Sequence, residues 1–145
     1  MSSMNDLIKK YIQDHPNNEE AQKLLEDAKD SADKPPVTLK ISNDKVTGLT
    51  WWFRVKPKDE KEPIVFVGTG AAGTENGHGY FTGTDIPEKI KSIGANGTFT
   101  LTMNDGGNQV TVNLVGANLV RDEWNGKGSS INVPDNSNGN WTRHS

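Results

Sequence analysis

Two hydrophobic periods divide the chain near residue 35. Over residues 4–33 the apolar side chains recur three and four apart: Leu7, Ile8, Tyr11 and Ile12, then Ala21, Leu24, Leu25, Ala28 and Ala32. That spacing places them on one face of a helix, and predicts two short helices. Ser3 is the expected cap of the first, with Asp6 three residues on completing a capping box that satisfies free amide donors. His15-Pro16-Asn17 interrupts the pattern, because proline has no amide proton and restricts the residue before it. Asn17 or Asn18 caps the second helix, and Lys34-Pro35-Pro36 makes a stiff, extended hinge. Three arrangements of this extension are open. It packs as a hairpin on the rest of the chain, it is a mobile arm, or it offers Leu7, Ile8, Tyr11 and Ile12 to a partner.

After the hinge the period becomes two. Val37, Leu39 and Ile41 alternate with Thr38 and Lys40, and Trp51, Phe53 and Val55 with Trp52 and Arg54. Ile64 to Val67 is a continuous apolar run, as in a strand covered on both faces. Tyr80 to Thr84, Leu119-Val120 and Ile131 to Val133 are shorter candidates. Phe99, Leu101 and Met103 and then Val110, Val112 and Leu114 flank Asn104-Asp105-Gly106-Gly107-Asn108, whose residues tolerate positive φ. This predicts a hairpin. Asp85-Ile86-Pro87-Glu88 reads as a second capping box, with Gly94 as the stop, so Ile86, Ile90 and Ile93 would face inward on one short helix. The expected fold is mainly β: a small antiparallel barrel or sandwich of about seven or eight strands over residues 35–145. A helical extension over residues 1–34 precedes it. No internal repeat is visible.

Composition narrows the function classes. A chain of 145 residues is expected to form one compact domain, and without cysteine it has neither disulfides nor thiolate metal sites. Only 32% hydrophobic residues and 15 glycines indicate a thin core with many turns. Residues 1–34 carry five Lys and eight Asp or Glu, so 5 − 8 = −3, while the remainder carries eleven of each sign and is neutral. With no basic face, nucleic acid is not expected as a partner. No run of about 18 apolar residues suggests a transmembrane helix. Residues 1–6 have neither a basic nor an apolar leader segment, so no signal peptide is expected, and the protein is read as cytoplasmic or exported by another route.

Few motifs point to chemistry. Gly68-Thr69-Gly70-Ala71-Ala72-Gly73 has dinucleotide-loop spacing, but Thr74-Glu75-Asn76-Gly77-His78-Gly79 follows, which cannot hold the helix that would carry a pyrophosphate. It is read as a turn. Asp135 to Asn140 looks like a calcium loop with its glycine one place early, and Asn104, Asp105 and Asn108 offer one carboxylate between them. His15, His78 and His144 lack paired metal spacing. A carboxylate pair could be drawn from Asp85, Glu88, Asp122 and Glu123, but the first two fit capping and the others an exposed turn. No catalytic residue, metal or cofactor is therefore assigned. The tryptophans carry the most information. Trp51 and Trp52 must point to opposite faces of a strand, one into the core and the other exposed or under the N-terminal helices. Trp52, Trp124 and Trp141 are the candidate binding residues, as rings that stack on a sugar or insert at a lipid interface; the plainer alternative is rings closing a barrel end.

From Gly79-Tyr80-Phe81-Thr82-Gly83-Thr84-Asp85, through the short helix and the Phe99–Val115 hairpin, to Gly139-Asn140-Trp141, the order of features resembles the virulence-associated protein A family. The resemblance covers about residues 79–141. It implies a compact antiparallel eight-stranded barrel with one short helix, no enzymatic pocket and a role at host endolysosomal membranes. Together the readings give a non-enzymatic binding or effector module acting at a membrane or on a protein partner. A lectin-like carbohydrate-binding module is the alternative, and a small enzyme the third reading.

Overall fold

In the computed structural model, which describes residues 3–27, 35–128 and 137–144, the period-two part of the chain forms eight antiparallel strands. They are β1 (Val37–Asp44), β2 (Gly48–Val55), β3 (Ile64–Gly70), β4 (Gly77–Gly83), β5 (Asn96–Asn104), β6 (Gln109–Gly116), β7 (Arg121–Gly128) and β8 (Ser137–Arg143). They close in the order β1-β2-β3-β8-β5-β6-β7-β4. Each half of that ring, β4-β1-β2-β3 and β8-β5-β6-β7, has the fourth-first-second-third order of a Greek key. The barrel is thus two Greek keys joined at β3–β8 and β4–β7, a repetition of topology that the sequence does not show. Among the described residues, closure leaves no strand edge to pair with other chains.

The interior is filled by alternate residues of every strand. Val37, Leu39 and Ile41 of β1, Trp51, Phe53 and Val55 of β2, and Phe66, Phe81, Phe99, Leu101, Val110, Val112, Trp124 and Trp141 form one continuous cluster. Some of its ring pairs meet edge-on, as the ring quadrupoles favour, among them Trp51 with Phe99 at 5.0 Å and Trp141 with Phe66 at 5.3 Å.

The predicted β5–β6 hairpin is present, paired from Gly97↔Gly116 to Asn104↔Gln109. Its turn takes positive φ at Asp105 (52°), Gly106 (64°) and Gly107 (91°). At the β1–β2 turn, Asp44 Oδ1 accepts the amides of Val46 at 2.8 Å and Thr47 at 3.0 Å. Those two amides, Thr47's first, hold the Asp44 carboxyl below its ordinary value. A carboxyl depressed in the folded state contributes stability above its unfolded value, about pH 3.9, and the contribution fades as pH falls through the lower folded value. Asp44→Asn is therefore expected to flatten the acid limb of stability against pH, read by circular dichroism at fixed denaturant; an unchanged limb would contradict the turn's role.

The segment expected as a short helix is a single 3₁₀ turn, Ile90–Ser92, preceded by Lys89 with no side-chain cap. Ile90 and Ile93 are buried, with Ile86 packed beside them, so the inward face is as expected. The Lys89 amide bonds to Asp122 of β7 instead of to a local cap, which ties this plug to the barrel wall. Leu119 and Val120 lie in the turn before β7 rather than in a strand. Ala28, Ala32, Lys34, Ile131–Val133, Asp135 and Asn136 lie outside the described residues.

The N-terminal part forms α1 (Met4–Asp14) and α2 (Glu19–Asp27). The Ser3–Asp6 capping box is present in both directions, and Asn18 caps α2 by accepting the Ala21 amide at 3.1 Å. α1 lies against β2, and α2 against β1 and β4. Of the three arrangements open to the extension, the structure shows the docked hairpin.

Candidate functional site

The candidate binding tryptophans are all inside the structure. Trp52 is 1% exposed, Trp124 3% and Trp141 1%. A ring without solvent-facing area has no face for a sugar or a lipid, so the expectation of exposed aromatic platforms is corrected. The reasons differ by residue. Trp52 does point outward from β2, but Met4, Ile8 and Leu24 cover it together with Val65, and Tyr11 meets it edge-on at 5.3 Å. Trp124 and Trp141 are the single large apolar residues of β7 and β8, and the interior takes both. Trp141 also donates its indole N–H to the Thr98 carbonyl at 2.8 Å.

The helix residues offered to a partner are occupied as well. Ile8 is fully buried on the barrel, and Leu7, Tyr11 and Ile12 pack around the same cluster. Polar contacts hold the hairpin in place. Asn18 Nδ2 donates to Tyr11 Oη and to Thr47 Oγ1, both at 3.2 Å. Lys40 Nζ donates to Asn5 Oδ1 at 3.0 Å and lies 5.9 Å from the centre of the Tyr80 ring. His78 Nδ1 lies 2.5 Å from Glu20 Oε2. The outward face of the β4-β1-β2 sheet thus carries Lys40, Ser42, Trp52 and His78 under α1 and α2.

The four carboxylates separate. Glu88, Asp122 and Glu123 line one shallow depression of about 320 Å³ with Lys89, Asn113 and Arg121, while Asp85 is not part of its wall. Asp122 uses one oxygen for the Lys89 amide at 2.8 Å and the other for the Glu123 amide at 3.0 Å. Burial pushes its carboxyl up despite those amides, and nearby Glu88 adds to the shift. With both oxygens engaged by backbone, Asp122 is an anchor for the 3₁₀ plug.

The remaining motifs resolve into packing and turns. Gly68 and Gly70 lie in β3, where a Cβ on Gly68 would sit 2.1 Å from the Trp51 ring. The Gly73 amide donates to Asn43 Oδ1, and the chain runs into β4 with no helix. Asn138 and Asn140 of the supposed calcium loop are β8 residues paired with Thr100 and Thr98. His15 Nδ1 is 3.0 Å from the Tyr11 carbonyl, and its ring stacks on that of Tyr11. Among the described residues no group of three or more His, Asp or Glu is placed to hold a metal ion, and no helix is long and apolar enough to cross a membrane.

Two features escaped sequence reasoning. One is the Glu20–His78 contact, 58 residues apart in sequence. The other is Leu119, 78% exposed at φ 68°. Its turn is held by Asn118, which donates to the Ser92 carbonyl and accepts from the Val120 amide. No family model, curated protein or solved structure matches the chain.

Proposed function

We propose that the protein is a non-enzymatic binding module of the effector kind, recognising a protein partner through its outer surface and loop ends. What carries the reading is the filled interior. The rings of Trp51, Phe53, Phe66, Phe99, Trp124 and Trp141 occupy the space in which barrels of this size hold small ligands. Recognition then falls to the outside. The resemblance to the virulence-associated protein A family points the same way, since the barrel it implies is compact and acts without a pocket.

Leu119 supports a protein surface in particular. A left-handed backbone costs a non-glycine residue about 1–2 kcal/mol, and an exposed leucine recovers nothing from burial. An exposed apolar side chain on a strained backbone is the kind of position that collects at functional sites, and Leu119 is the contact residue this reading names. Leu119→Asn, which tolerates this backbone, is expected to raise stability by roughly 0.5–1 kcal/mol, read as a higher denaturant midpoint. The same variant tests the function. A partner captured by the wild-type chain should bind it directly in a purified two-component assay, and bind Leu119→Asn at least about tenfold more weakly. Co-sedimentation with phosphatidylserine vesicles and a glycan array run alongside should be negative. Binding to vesicles or glycans, or a partner indifferent to Leu119, would overturn the reading.

A further inference from the structure

The outward residues of β1 and β2 are of the kind a barrel shows to water, yet they are buried. Lys40 is 1% exposed, Ser42 0% and Thr50 2%. Alternation sets them opposite the inward Leu39, Ile41 and Trp51, so the helical hairpin takes a polar wall out of solvent. The Ser42 hydroxyl finds no hydrogen-bond partner among the described residues. A hydroxyl buried without a partner opposes docking, whereas water would satisfy it if the hairpin lifted. The apolar part of the contact is Met4, Ile8 and Leu24 on Trp52 and Val65, with Leu7, Tyr11, Ile12, Leu25 and Val67 packed around them. That cluster holds the hairpin down, and the desolvated polar wall beside it works against docking.

The charges indicate what it exchanges with. Residues 1–34 carry a net charge of −3 in an otherwise neutral chain. The wall beneath carries Lys40, His78 and, on the same face of β2, Arg54. Glu20 of α2 meets His78, and Asn5 of α1 meets Lys40. α2 carries the acidic charge and α1 is balanced, so the recognition pattern is an acidic amphipathic helix beside Lys40 and His78 with an apolar strip along it, the helix-in-groove mode with α2 as the acidic resident helix.

We propose that α1 and α2 are an autoinhibitory cover, occupying in cis a helix-docking face of the barrel that an acidic amphipathic helix of a partner protein takes over when the hairpin lifts. This extends the binding reading to a second surface on different elements from Leu119. Its test does not involve the β6–β7 turn, so the two ideas fail separately.

The probe is a labelled synthetic peptide of residues 3–27, titrated against the full chain and against the full-length double variant Ile8→Ala/Leu24→Ala. Hydrogen exchange of the wild-type chain is followed by mass spectrometry in parallel. Apparent affinity scales with the fraction of molecules whose face is free. Weakening the resident hairpin should therefore tighten peptide binding by roughly tenfold or more, and a Glu20→Lys peptide should bind less well than the natural one. In the wild-type chain the α1 and α2 amides should exchange through openings that leave β1–β3 protected. Equal peptide affinity for both proteins, or helix amides that exchange only when the whole barrel opens, would overturn the proposal. So would a double variant whose barrel no longer folds, because a removable cover cannot also be the scaffold.

Discussion

Trp141→Ala is expected to destabilise the protein by about 3–5 kcal/mol, the usual cost of truncating a large buried aromatic. At this chain length that lowers the thermal midpoint by about 10–20 °C. The ring stands where the two Greek keys join: its strand pairs with β3 on one side and β5 on the other, it forms a T-shaped pair with Phe66, and its N–H satisfies the Thr98 carbonyl. Trp141→Phe keeps most of the packing and loses the hydrogen bond, so it should cost about 1–3 kcal/mol. If the residue were instead a ligand platform, the alanine variant would melt like the wild type and lose only binding. Denaturant unfolding of the two variants decides between these.

The second large effect belongs to Gly68. Its absent side chain makes room for Trp51 on the neighbouring strand, directly opposite it in register. A Cβ there would lie 2.1, 2.2 and 2.5 Å from three atoms of the indole. The ring is fully buried in a filled core and cannot withdraw without moving others. Gly68→Ala is expected to cost about 1–3 kcal/mol, the range for overpacked cores, and Gly68→Val more. Trp51→Leu in the Gly68→Ala background should recover part of the loss, because contacting residues couple by about 0.5–3 kcal/mol. Strict additivity in that double-mutant cycle would show that the glycine serves something other than this ring.

Gly68 also shows where sequence reasoning stops. Its spacing imitates a phosphate loop, and the local continuation was enough to reject that. Its actual role depends on a tryptophan seventeen residues away on the adjacent strand, which no local pattern reports. The elements that could be read were those whose signals are local. Ser3 and Asp6 mark the start of α1. Alternation in Phe99, Leu101, Val110, Val112 and Leu114, around glycines that accept positive φ, marks the hairpin. By contrast, β7 and β8 read Arg-Asp-Glu-Trp-Asn-Gly-Lys-Gly and Ser-Asn-Gly-Asn-Trp-Thr-Arg. Each has one large apolar residue, so there is no alternation to detect, and its tryptophan reads either as a binding ring or as a ring closing a barrel end. Closure of the barrel is what makes those strands, by pairing them on both sides. The burial of Trp52 was open for the same kind of reason: alternation fixes which way it points, while only the packed hairpin fixes whether water reaches it. The pairing of Glu20 with His78 and the exposure of Leu119 follow from tertiary placement alone.

The sheet is closed, and its own side chains leave no room inside it. The indole N–H groups of Trp51 and Trp124 test this most directly, since neither has a hydrogen-bond partner among the described residues and only exclusion of water can protect them. In hydrogen exchange followed by NMR, both resonances should persist long after those of free indoles vanish, fading only with global unfolding. Exchange of either at the rate of an exposed indole would show that water enters the barrel, and would contradict a filled interior.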